Sequence, residues 1–231
     1  MICPWLWPKF LRARLAMRDY PYYDAPNKQA EAELSEAKVQ ENFAYFMRVR
    51  LDRLAYFQKW LHRRFGVRAS LDGDGLRAVS AWVDAYGGGL IGEGAPGEHP
   101  FSCYQPPWRG EFVGYNVMLD IGIFLGEYLI AKQPKLHWAI YRGHVIEPAS
   151  FRSPSYLRPV LVGLPYGWIS DVLKTGYGVV QGNRYRANIG HNPVMNRSGA
   201  LVEEAKSSLY SARMPEGDGP VIIGDSTNEP L

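Results

Sequence analysis

The sequence predicts an α+β fold: a helical N-terminal half followed by a small sheet of two to four strands in the C-terminal half. Three observations predict it. Helical spacing of apolar residues runs almost unbroken from Asn27 to Phe65. A further apolar helix, Glu111 to Lys132, leads into HWAIY at His137–Tyr141, which reads as a strand with Trp138 and Ile140 on one face. A third run, PVLVGL at Pro159–Leu164, is short, β-branched and bounded by Pro and Gly.

The elements follow in order. Residues 1–18 read as an N-terminal extension, apolar first and basic later, the reverse of a secretory signal. Two readings stand: a short surface-associating segment, or a stretch ahead of a start at Met17, the second being preferred. The domain proper is expected over 19–190. DYPYYDAP at Asp19–Pro26 is an extended lead-in. Asn27 is placed as the N-cap of the long helix. Glu31, Glu33 and Glu36 lie near its start and Lys59, Arg63 and Arg64 near its end, complementing the helix dipole, and Gly66 stops it. Two apolar stripes are read on it: Met47, Leu51, Leu54, Phe57, Leu61 and Phe65, and nearly opposite, Tyr45, Val49, Tyr56 and Trp60. A helix apolar on two sides needs cover on both, from its own chain, a protein partner or a second copy.

Ser70 to Tyr86 predicts a second helix, capped by Asp72 or Asp74. A Gly- and Pro-dense loop, Gly87 to Arg109, separates it from the third. Arg142-Gly143 predicts a turn into a further strand, His144–Ile146. A short helix is expected over Gly167–Thr175, closed by Gly176 or Gly178, and a last helical piece over Leu201–Tyr210. Residues 191–231 read as a C-terminal extension, mobile from Met214 onward.

Composition narrows the function classes. Charged residues are 21% of the chain and hydrophobic ones 46%, which is globular. A net charge of +3 is too small to predict nucleic-acid binding. The basic residues of the long helix interleave with aromatics that belong to its apolar stripe, so no nucleic acid is expected. Two cysteines, Cys3 and Cys103, have neither disulfide nor zinc spacing and fit a reducing, cytoplasmic setting. No run of 18 apolar residues occurs, and no membrane span is expected.

Gly92-Glu93-Gly94-Ala95-Pro96-Gly97 matches G-x-G-x-x-G in letters. A dinucleotide site needs a helix opening at that point, and Pro96 and Pro100 prevent one. No cofactor is expected. The histidines lack i, i+4 pairing, and His137 with His144 and Glu127 is the one conceivable metal set; no metal is expected. A G-x-S-x-G elbow is absent. The third helix carries Asn116, Asp120 and Glu127 within about 40° of each other on a helical wheel. With Trp138 they form the candidate binding face. The alternative use of that stripe is as the wet side of an amphipathic helix. Gly122 and Gly126, each costing about 1 kcal/mol against alanine in mid-helix, predict a groove that takes another backbone.

ASLDGDGLRAVSAWVDAY, with Leu71-Asp72, Leu76, Val79 and Trp82, resembles a helix start found in many small bacterial proteins of unknown function. In those proteins a Gly-Glu helix and then a Trp-bearing strand follow. IGIFLGEYLIAKQPKLHWAIY is similar, with Gly126-Glu127 and Trp138 in the matching places. Gly75 stands where the pattern has Ser. The resemblance spans about a third of the chain and implies no activity; some such proteins are suspected of binding a partner protein. The expected function is therefore a non-enzymatic protein-binding or structural domain. The rival is a hydrolase using Glu127 with Asp120 or a His-bound metal.

Overall fold

The computed structural model describes residues 7–92, 101, 103–143, 155–189 and 198–215. The expected strand His144–Ile146, the 93–100 stretch of the Gly-Pro loop, and residues 191–197 and 216–231 of the C-terminal extension lie outside them.

Six helices and one two-stranded sheet are present among the described residues, an α+β fold. The order is α1 (Trp7–Ala16), α2 (Glu36–Phe65), α3 (Gly73–Tyr86), α4 (Gly114–Lys132), β1 (His137–Ile140), β2 (Pro159–Val162), α5 (Val172–Ile189) and α6 (Ala200–Arg213). The strands pair antiparallel, with His137 opposite Val162 and Ile140 opposite Pro159. Helices are not confined to the first half, because α5 and α6 follow the sheet.

The core is built around α4. Every residue from Gly114 to Gly126 is buried, under α2, α5 and α6. The segment Gly110–Lys132 is long and apolar enough to cross a membrane, but 83% of its apolar window is covered by the rest of the protein. Asp120 and Glu127 interrupt its apolar run, so a count of consecutive apolar residues misses it.

α2 starts nine residues later than expected. Asn27 is not its cap. The Asn27 N–H donates to Asn42 Oδ1 at 2.9 Å, and Asn42 Nδ2 donates to the Asn27 carbonyl at 3.0 Å. The lead-in folds back along α2, and its backbone groups are satisfied by side chains instead of helical bonds. Gly66 ends α2 in the left-handed region, φ 72°.

The two stripes of α2 are not opposite faces. Phe46, Leu54, Phe57, Trp60 and Leu61 form one broad buried arc with Arg53 inside it, and Tyr45, Val49 and Tyr56 are half-buried at its edge. Arg53 breaks the arc in sequence, which is why it reads as two stripes. The chain covers this arc itself. Leu51, outside it, stays 51% exposed.

Asp72 caps α3, accepting from the Gly75 N–H at 2.8 Å. A Cβ at Gly75 would stand 1.9 Å from the Ser70 carbonyl oxygen, so the serine of the resembling pattern does not fit here. Residues 7–17, expected outside the compact unit, pack into it. Phe10, Ala13, Ala16 and Met17 are buried, and Trp60 Nε1 donates to the Ala16 carbonyl at 3.0 Å. Phe10 lies where a Cβ on Gly88 would be 2.7 Å from its ring.

α5 corrects a further expectation. It does not end at Gly176 or Gly178 but runs to Ile189. Gly176 is a contact residue instead: a Cβ there would lie 2.6 Å from the Met118 carbonyl oxygen and 2.9 Å from Gly122 N. A Cβ on Gly122 would lie 2.7 Å from Leu173 Cα. The predicted glycine groove of α4 is thus filled at Gly122 by the backbone of α5. At Gly126 it is filled by the Trp138 ring, with Cζ2 only 2.2 Å from an added Cβ.

Candidate functional site

The stripe of α4 that carries Asn116, Asp120 and Glu127 faces α2 and the lead-in, not water. Asn116 and Asp120 are fully buried, so the wet-side reading is corrected. Asp120 meets the Arg53 guanidinium at two points, Nε to Oδ1 at 2.6 Å and Nη2 to Oδ2 at 2.9 Å, and Tyr20 OH donates to Oδ2 at 2.7 Å. Arg53 Nη2 also reaches the Asn116 carbonyl at 3.3 Å. Asn116 Oδ1 accepts the Tyr23 N–H at 2.6 Å, and its Nδ2 donates to the carbonyls of Trp108 and Val113 at 2.7 and 3.0 Å.

Burial pushes the Asp120 carboxyl above its ordinary value, against the pull of Arg53 and Tyr20. Burial is the largest single influence on Arg53 and works against its charge, but Asp120, Tyr20 and Tyr23 together hold the guanidinium above its usual value. A guanidinium has no acceptor and stays charged, so the form that fits its two-point contact is the carboxylate. All of these groups are spent on holding the lead-in, α2 and α4 together.

Glu127 and Trp138 form a second unit. Glu127 Oε1 accepts from Arg50 Nε and from Trp138 Nε1, both at 2.9 Å. The indole packs edge-on against Phe46, with ring centroids 4.9 Å apart. Neighbouring strand residues point to opposite faces. His137 is accordingly exposed while Trp138 is buried, and its Nδ1 lies 3.1 Å from the Lys135 carbonyl. Glu127 and His137, whose convergence would favour the rival hydrolase reading, are not brought together: Glu127 binds the buried Trp138, and His137 lies on the exposed face. Among the described residues no group of three or more His, Cys, Asp or Glu side chains could hold a metal; His144 lies outside them.

The structure thus joins Asn116 to Asp120 and Glu127 to Trp138, as two separate structural clusters. Their sequence signal was available in α2: Arg50 and Arg53 sit within its apolar arc, and buried charges require opposite charges facing them.

Sequence reasoning missed two further groupings. In one, Glu31 is buried beside Arg158, with Arg158 Nε 3.8 Å from Glu31 Oε2. Tyr104 OH donates to Glu31 Oε1 at 3.0 Å, and Arg158 Nη2 reaches Asp171 Oδ2 at 3.4 Å. Burial pushes the Glu31 carboxyl up from 4.5 to about 8, despite Arg158 and Tyr104, with Asp171 adding to the rise. The folded protein therefore binds more protons than the unfolded chain between these two values, and stability falls as pH rises through that window. We expect urea unfolding to lose on the order of a few kcal/mol between about pH 5 and about pH 8, levelling off above. In Glu31→Gln that slope should flatten. An unchanged slope would assign the pH response to other groups.

The other grouping is a groove of about 530 Å³ between the start of α5 and the outer face of α6. Its residues come from three separate stretches and carry no spacing motif, so nothing in the sequence marked them. Compared with family models, curated proteins and solved structures, the chain matches none.

Proposed function

We propose that this chain is a non-enzymatic protein-binding domain, and that it takes an acidic protein partner on the outer face of α1. The observation that carries this reading is a pair of leucines left in water and bracketed by bases. Leu11 and Leu15, one turn apart, are 47% and 51% exposed, although the other side of the same helix is buried. Lys9, Arg12 and Arg18 are exposed around them, and α1 has no acidic residue. Arg12 is held in place by the Arg64 carbonyl at 2.8 Å and by the rings of Phe65 and Tyr86, which joins this face to the basic end of α2. Apolar anchors ringed by arginines fit a protein surface of opposite charge, where the leucines supply affinity and the bases supply steering. The carboxylates proposed for hydrolysis, Asp120 and Glu127, are both held in ion pairs, which supports a role without chemistry.

The test is in-cell photocrosslinking from Leu15, with Leu51 on α2 as the comparison position. The expected result is a protein adduct at Leu15 through an acidic peptide, abolished by Lys9→Glu with Arg18→Glu and weakened by salt. An adduct confined to Leu51 would return the interface to the long helix and overturn the α1 reading. Adducts to lipid alone, or none, would also overturn it.

A further inference from the structure

The groove beside α6 is built unlike the rest of the surface. Its mouth carries Trp168, 44% exposed, whose ring lies 5.7 Å from that of Tyr166. Tyr166 is 38% exposed and sits in the left-handed region at φ 59° and ψ 20°, a costly backbone for a non-glycine residue. Its hydroxyl donates to the Pro215 carbonyl at 3.0 Å, which fixes the ring beside Trp168. Two large aromatics are therefore positioned in water by a constrained turn.

The walls mix apolar side chains, Leu164 and Ile169, with a row of hydroxyls. Ser170, Ser207, Ser208, Ser211 and Thr175 line them, and Ser170 Oγ and Ser208 Oγ stand 3.3 Å apart across the groove. Asp171, though at the rim, is committed: Ser155 Oγ and Arg158 Nη2 reach its Oδ2, and the Lys174 N–H donates to its Oδ1 at 2.8 Å. Lys174 and Glu204 are exposed, and neither side chain has an ion-pair partner among the described residues. Among the described residues, with Asp171 engaged by Arg158, the groove thus offers one uncommitted charge of each sign.

From this lining we infer that the groove is a binding site for an uncharged carbohydrate, a short oligosaccharide lying with one sugar face on Trp168. The C–H face of a pyranose is weakly positive and meets the negative face of an indole. Its hydroxyls both donate and accept, as the serine hydroxyls do, while Glu204 accepts and Lys174 donates. A charged ligand would leave either Lys174 or Glu204 facing like charge. The volume falls in the range of small-molecule sites, about 300–1,000 Å³. Its open form suits a chain that continues past the groove. This site is independent of the α1 face.

The test is titration of the intact protein with four neutral trisaccharides, maltotriose, cellotriose, tri-N-acetylchitotriose and mannotriose, followed by the indole N–H resonance of Trp168. That resonance is assigned by its loss in Trp168→Phe. One of the four should move it saturably, with Kd below about 1 mM. Trp168→Ala should weaken binding, read by calorimetry, about tenfold or more. Glu204→Gln and Ser208→Ala, on the solvent side of α6, should weaken it about threefold each, and Tyr22→Ala, away from the groove, should leave it unchanged. No shift from any of the four at about 10 mM would overturn the inference. So would a shift caused by a free amino acid and by none of the sugars, or sugar binding unaffected by Trp168→Ala.

Discussion

Asp120→Ala is expected to cost about 3–5 kcal/mol of folding stability. It removes one half of a buried ion pair and leaves the Arg53 guanidinium in a site where its side chain is only 8% exposed. Tyr20 loses its acceptor at the same time. In a domain of this size that corresponds to a fall in Tm of roughly 6–20 °C. The double variant Arg53→Met with Asp120→Leu should recover most of the loss, because apolar replacement of a whole buried pair is often neutral. Urea unfolding of the two variants beside the unsubstituted protein measures both numbers. A loss below about 1 kcal/mol in Asp120→Ala would mean that water reaches Arg53 and that the pair is not sealed.

Gly176→Ala and Gly178→Ala, two residues apart on α5, should have opposite signs. Alanine gains about 1 kcal/mol over glycine in a helix interior. At Gly178 nothing lies within 4 Å of the added Cβ, so that gain should appear as stabilisation. At Gly176 the Cβ would sit 2.6 Å from a carbonyl oxygen of α4, and backbone on both sides cannot turn away as a side chain can. Overpacking of this kind costs about 1–3 kcal/mol and more where the helices must separate, so the net effect should be a loss of about 2 kcal/mol. Gly122→Ala meets the same crossing from the other side. Combined with Gly176→Ala it should cost less than the sum, because the first Cβ already parts the helices. Thermal unfolding of the four variants checks the pattern, and equal effects at 176 and 178 would contradict the close crossing.

These two cases also show what could be read from residue order. The α+β class, the stop at Gly66, the cap at Asp72 and the close-packing glycine at Gly122 follow from short-range rules, and the structure has each of them. What failed was tertiary. Gly176 reads as a stop because glycine usually ends helices, and only the neighbouring α4 explains one in mid-helix. Asp120 reads as wet because carboxylates usually are, and its partner is 67 residues away. Residues 7–17 read as an appendage because their burial depends on Gly88, Gly89 and Trp60. The site was less legible than the fold. The two clusters of Asn116, Asp120, Glu127 and Trp138 were visible as residues but not as joints, and the groove joins short polar stretches that carry no periodic signal.

The Arg53–Asp120–Tyr20 joint also bears on how the chain is made. Arg53 precedes Asp120 by 67 residues, and Tyr20 precedes it by 100. At about 5–20 residues per second of synthesis, Arg53 is complete roughly 3–13 s before its counter-charge exists. During that interval α2 is a nascent amphipathic helix with a guanidinium set in its apolar arc, a pattern that discourages collapse onto itself or onto a neighbouring chain. The emergence of Asp120 removes that block, so the same ion pair that locks the finished protein would delay its compaction until α4 has left the ribosome.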